Sequence, residues 1–135
     1  MNNESGGTGK GLILEELTEQ IIGAAIEVHK TVGPGLMESA YEKCLCRELQ
    51  LRGLHFERQV LVPIEYKGMK LQGTYYIDIL VERSVVLELK AVAAITEIHE
   101  AQLLTYLKLT GHRVGFIFNF NVVALKRGGI VRRVL

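Results

Sequence analysis

Three charged side chains lie inside two apolar runs, and they constrain this chain more than any other feature. Asp78 interrupts Tyr76-Ile77-Asp78-Ile79-Leu80-Val81, and Glu88 and Lys90 interrupt Val85-Val86-Leu87-Glu88-Leu89-Lys90-Ala91. Both runs are short, bounded and rich in β-branched and aliphatic residues, which is the pattern of buried strands. A carboxylate in such a strand loses several kcal/mol of hydration, so it needs a cation, a metal ion or a proton. The two-residue period of a strand puts Glu88 and Lys90 on one face. Whether Asp78 joins them depends on the hairpin between the runs. If Val81 pairs with Val85 across Glu82-Arg83-Ser84, Asp78 lies opposite Glu88. A two-residue loop at Arg83-Ser84 would set it opposite Leu89, on the other face. A shared site therefore requires an odd-length loop or a bulge.

Two carboxylates and a lysine on one face suit Mg²⁺ or Mn²⁺, which take hard oxygen ligands, keep several waters and complete their shell with a substrate phosphate. Such an ion lowers the pKa of a bound water and stabilises charge on the phosphate, while the lysine orients or activates the nucleophile. A structural cluster of Asp, Glu and Lys satisfies the same strands, and the strands alone leave both readings open.

The rest of the chain frames these runs. Leu14, Leu17, Ile21, Ala24, Ala25 and Val28 recur at helical spacing, predicting a helix that ends near Thr31 before Gly33-Pro34-Gly35. A second helix is predicted from Leu36 to Arg52, with Gly53 as its stop. On it Glu38 heads a stripe that continues through Tyr41, Leu45 and Leu49, so Glu38 shares the inward face. Phe56, Val60, Val62, Ile64 and Tyr66 approximate strand alternation, with Pro63 marking an edge or an irregularity. Lys67-Gly68 reads as a turn, followed by one or two strands from Met69 to Val81 and the strand Val85 to Ala91. Thr96 is placed to cap a third helix that Gly111 stops, and strands follow at Val114–Phe120 and Ile130–Leu135. Gln102 and Tyr106 lie one turn apart on that third helix. The order, α-α-β-β-β-α-β-β, describes a mixed α/β domain.

Composition bounds the function. The 135 residues, 48% hydrophobic and 23% charged, fit one domain over residues 12–135 behind a Gly/Asn/Ser-rich leader, residues 1–11, expected to be flexible. A net charge of +1 gives no global signal for a polyanion, so any such site is a local patch. Lys126, Arg127, Arg132 and Arg133 form a basic cluster that fits either a nucleic-acid backbone or a solvated face. No apolar run reaches the roughly 18 residues that span a bilayer. Cys44 and Cys46, two apart on a helix, are expected as reduced thiols, which places the chain in the cytoplasm. The four histidines show no paired spacing, and His99, in the turn before Gln102, is the nearest to a catalytic candidate.

These residues resemble a known family. Gly35-Leu36-Met37-Glu38-Ser39-Ala40-Tyr41 is similar to the GxxExxY motif, Asp78 with Glu88-Leu89-Lys90 to the D…ExK signature of PD-(D/E)XK nucleases, and Gln102-Leu103-Leu104-Thr105-Tyr106 to the QxxxY of their RecB-like branch. The similarity extends from Leu14 to Leu135 and includes Tyr66-Lys67-Gly68 and Asn119-Phe120-Asn121. Ile77 stands where the signature has proline, and Tyr76 where many relatives carry a basic residue. The resemblance implies a restriction-endonuclease-like αβββαβ core with a central mixed sheet flanked by helices. It also implies Asp78, Glu88 and Glu38 as ligands of Mg²⁺ or Mn²⁺, Lys90 serving the attacking water, and Gln102 and Tyr106 orienting substrate or lysine. The expected activity is metal-dependent hydrolysis of DNA, with nucleic acid as partner and a homodimer as the expected assembly. The alternative on the same fold is an inactive nucleic-acid-binding or protein-interaction module.

Overall fold

The computed structural model describes residues 6–135, with side chains from residue 14 onward. Helix α1 spans Gly6–Val32, so it extends into the expected leader, whose residues 1–5 lie outside the described ones. It is followed by α2 (Glu38–Leu51), β1 (Phe56–Leu61), β2 (Ile64–Tyr66), β3 (Met69–Leu71), β4 (Tyr76–Val81), β5 (Val85–Lys90), α3 (Glu97–Thr110), β6 (Val114–Asn119) and β7 (Ile130–Val134). Five strands form a mixed sheet in the order β1-β4-β5-β6-β7, in which β5–β6 is the parallel pair and α3 is its crossover. This is the restriction-endonuclease-like arrangement that the resemblance implied.

The element order differs from the expectation by one added hairpin, β2–β3. Pro63 has no N–H for a ladder, so β1 ends at Leu61 and the stretch from Phe56 to Tyr66 is two strands instead of one. The hairpin closes on Lys67 (φ 47°) and Gly68 (φ 84°), the left-handed pair that a type I′ turn needs. α2 also begins at Glu38, two residues later than expected, because the Gly33-Pro34-Gly35 turn extends to Met37.

Two layers of side chains cover the sheet. α1 and α2 pack Ile21, Ala24, Ala25, Tyr41, Leu45 and Leu49 against Ile79, Leu87, Phe116 and Phe118 on one face. α3 packs Leu103, Tyr106 and Leu107 against Ile77, Leu80, Val86 and Ile117 on the other. Each fully buried Leu, Ile, Val or Phe among them contributes about 1.5–3 kcal/mol of transfer free energy. Gly115 admits α3 to the sheet: a Cβ there would stand 2.7 Å from Leu103 Cδ1 and 3.3 Å from the Val86 carbonyl oxygen. Thr96 caps α3 as expected. Its Oγ1 accepts from His99 N (3.4 Å), while Thr96 N donates to His99 Nδ1 (3.0 Å). His99 thus serves the cap through both its N–H and its Nδ1.

The turn before α2 is held by Tyr41, whose hydroxyl donates to Gly33 O (2.6 Å) and accepts from Leu36 N (3.1 Å). Its ring stacks on Phe120 at 4.4 Å. No helix among the described residues is long and apolar enough to cross a membrane. Cys44 and Cys46 are free thiols, and burial pushes Cys46 up to about 11.

Candidate active site

The β4–β5 hairpin decides whether a site exists. Val81 pairs with Val85, and Glu82 and Arg83, both at φ 51°, turn the chain while Ser84 N donates to Val81 O (2.9 Å). Ser84 is the extra residue that makes the loop odd. Glu82 is fastened to the next segment, its N–H donating to His55 O (2.8 Å) and its carboxylate accepting from His55 N (2.7 Å). This register carries Asp78 to the position opposite Glu88.

The ladder stops just short of that pair. Main-chain pairing of β4 with β5 runs from Val81↔Val85 to Ile79↔Leu87 and no further, whereas β5 remains paired with β6 to Lys90↔Asn119. β4 and β5 therefore part as a fork, and the carboxylates occupy it. Glu88 Oε2 accepts from Asp78 N (3.0 Å), and Asp78 Oδ2 accepts from Leu89 N (2.8 Å). Each carboxylate thus satisfies a main-chain donor that the broken ladder leaves behind. Asp78 Oδ1 and Glu88 Oε1 have no hydrogen bond among the described residues.

Burial and proximity set the electrostatics. Desolvation first, then the negative charge of Asp78, pushes Glu88 from 4.5 up to about 8. Desolvation also raises Asp78, against the lowering effect of the Leu89 N–H, and Glu42 adds to the rise. Lys90, half-buried at the end of β5, opposes both shifts but forms no ion pair among the described residues. Its positive charge is not neutralised by direct contact.

The helices bring the other expected residues to the rim. Glu38, the first residue of α2, is exposed and its Oε2 accepts from Ala91 N (3.3 Å), just beyond Lys90. From α3, Gln102 Nε2 donates to Tyr106 Oη (3.1 Å). Burial, then Glu88, lifts Tyr106 up to about 12, so the phenol keeps its proton near the two carboxylates. No three His, Cys, Asp or Glu side chains among the described residues are gathered tightly enough to hold a metal unaided. Asp78 and Glu88 meet, and Glu38 stands apart at the rim.

Glu42 escaped the sequence reading, and Asn119 entered it only within the similar segment Asn119-Phe120-Asn121, with no role. Glu42, one turn after Glu38, is buried and held by Arg58 (2.7 Å) and Gln59 (3.1 Å). Its signal was its place beside Tyr41 on the inward stripe of α2. Asn119, the sheet partner of Lys90, accepts from Val92 N (3.1 Å) and Asn121 N (3.2 Å) and donates to Val92 O (3.0 Å), fixing the chain after β5. A buried amide closing an apolar strand was legible as an anomaly, though not as to its partner. The basic cluster is divided: Arg133 pairs with Glu100, while Lys126, Arg127 and Arg132 are exposed.

Donor chemistry and geometry together fit a hard divalent cation. Two adjacent carboxylates repel each other, and each presents one oxygen without a hydrogen-bond partner among the described residues. The sequence model of the PD-(D/E)XK nuclease superfamily matches residues 15–134. No curated protein and no solved structure matches the chain.

Proposed function

Since this chain belongs to the PD-(D/E)XK nuclease superfamily, we propose that it is a GxxExxY-type, divalent-metal-dependent nuclease that hydrolyses phosphodiester bonds in DNA. The observation that carries the reading is the fork, where Asp78 and Glu88 meet on parted strands with the unpaired Lys90 one step along β5. Nucleases of this superfamily generally use divalent metal ions. Asp78 and Glu88 would hold Mg²⁺ or Mn²⁺ here, with Glu38 able to contribute from the rim. What the ion supplies when bound is stabilisation of charge on the phosphate and a lower pKa for the attacking water.

The chain's own groups divide the remaining work. In hydrolysis the water oxygen bonds to phosphorus, the bond from phosphorus to the bridging oxygen breaks, and that oxygen leaves with a proton. Lys90 supplies a compact positive charge and donors beside the attacking water, where developing negative charge is stabilised most. Tyr106, protonated and accepting from Gln102, keeps its O–H directed by that bond and available to a phosphate oxygen. Asn119 and the Glu38–Ala91 contact hold the main chain just after Lys90, limiting the motion of the lysine.

Labelled single-stranded, duplex and flapped DNAs and an RNA, incubated with Mg²⁺ or Mn²⁺, test the proposal. Wild type should cut at least one DNA only with metal, while Glu88→Gln and Lys90→Ala should each lose on the order of 10²-fold or more in rate. Equal cutting by wild type and Glu88→Gln would remove Glu88 from the mechanism. Retained DNA binding without cutting by any of the three would favour the inactive binding module.

A further inference from the structure

The β1–β4 ribbon changes faces at a single position. Phe56 packs in the α1/α2 layer and Arg58 reaches Glu42 of α2 on the same side, yet Val60 packs in the α3 layer. β4 changes in step: Ile79 and Val81 belong to the α1/α2 layer, whereas Ile77 belongs to the α3 layer. Strand residues two apart ordinarily share a face. Both strands have therefore slipped by one face, between Arg58 and Val60 and between Ile77 and Ile79. The residues at the two slips are Gln59 and Asp78, and theirs is the pair missing from a register that otherwise runs from Phe56↔Val81 to Leu61↔Tyr76.

Gln59 shows how the slip is made. Its φ is 52°, in the left-handed region that side-chain-bearing residues seldom enter and keep only when their surroundings enforce it. The consequence is visible on α2. Consecutive strand residues normally point to opposite faces, but Arg58 Nε (2.7 Å) and Gln59 Nε2 (3.1 Å) both donate to the carboxylate of Glu42. Glu42 is buried, so this grip is enclosed. Beyond the slip, β4 leaves β5, and Leu89 N, with no main-chain carbonyl opposite, donates to Asp78 Oδ2 instead.

We propose that Gln59 is a positioning residue for Asp78: its left-handed backbone, fastened to Glu42, turns the β1–β4 ribbon over and delivers the Asp78 carboxylate into the fork. With a regular pair at this position the β4–β5 ladder would continue, and Leu89 N would find a main-chain partner. The inference rests on the reading of Asp78 as a site residue, but its primary measurement does not depend on DNA cleavage.

Three full-chain variants separate the contributions. Gln59→Ala removes the hydrogen bond to Glu42 and leaves the backbone preference unchanged. Gln59→Val also disfavours positive φ, and Gln59→Gly adopts it freely. The measurements are amide exchange at Leu89, calorimetric titration with Mn²⁺, kcat and KM on a cleaved DNA, and Tm. Gln59→Val should lower Leu89 protection, Mn²⁺ affinity and kcat by about tenfold or more, with KM little changed, while Gln59→Gly stays within about threefold of wild type. Wild-type protection and affinity in Gln59→Val, or an equal loss in Gln59→Gly, would overturn the proposal. Should Gln59→Val not fold, Gln59→Gly must protect Leu89 better than Gln59→Ala, and the reverse order overturns it. A wild type that neither binds Mn²⁺ nor cuts DNA would defeat the nuclease reading, while Leu89 exchange still judges Gln59.

Discussion

Glu88 is the side chain whose ionisation weighs most on the fold, and its replacement by glutamine gives a quantitative test of the site. Burial and the neighbouring Asp78 raise it from 4.5 to about 8. Between those values the folded chain retains a proton that the unfolded chain has released. The stability associated with the protonated form is therefore complete below the unfolded value and is lost as pH rises through the folded one. The full interval corresponds to about 5 kcal/mol. Entry of water into the fork reduces this, and a net loss of about 2–5 kcal/mol is expected. Gln has the shape of the neutral acid and does not ionise. In metal-free buffer near pH 9, Glu88→Gln should be more stable than wild type by about 2–5 kcal/mol, a rise in Tm of about 6–20 °C. At about pH 5 the two proteins should agree within about 1 kcal/mol. Mg²⁺ should narrow the gap by stabilising the ionised wild type, by about 2.7 kcal/mol at a hundredfold excess over Kd. Thermal scans across pH, with chelator and with Mg²⁺, measure all of this. Parallel pH profiles for the two proteins would refute the placement of Glu88 as a buried, repelled carboxylate.

Two further predictions concern the supports of the site. Tyr41→Phe removes a hydroxyl that both donates to Gly33 O and accepts from Leu36 N, and should cost about 1–3 kcal/mol in urea unfolding, with cleavage reduced less than by Glu88→Gln. Gly115→Ala introduces a Cβ 2.7 Å from Leu103 Cδ1 and 3.2 Å from Leu107 Cδ2. Displacing α3 in this way should cost about 1–3 kcal/mol by thermal unfolding and should also slow cleavage, because α3 carries Gln102 and Tyr106.

Local rules were sufficient for much of the chain. Helical spacing predicted α1 and α2, and Thr96 and Gly111 marked both ends of α3, because caps and stops act within one turn of the residues that encode them. Charged residues inside apolar runs identified Asp78, Glu88 and Lys90, since an unpaired charge in a buried strand needs a compensating group wherever the fold lies. The sequence also posed the decisive alternative, an odd or an even hairpin loop, without being able to choose. Glu82 and Arg83 are not glycines, and the left-handed turn they form comes with contacts from Glu82 to His55, 27 residues away, and from Arg83 to Glu57.

What only the tertiary structure decided was the region between β1 and β4. Phe56, Val60, Val62, Ile64 and Tyr66 read as one alternating strand, but the ribbon turns over at Gln59 and the strand ends before Pro63. Nothing local to Gln59 announces a left-handed residue. Its conformation is held from α2, by a glutamate 17 positions away, and is matched by a slip in β4. Composition and periodicity determine which residues will be buried and which charges will need partners, because those costs belong to each side chain and its near neighbours. The fork that brings Asp78 to Glu88 is set by contacts among α2, β1, β4 and β5, and a backbone conformation enforced by distant contacts is visible only when those elements are packed together.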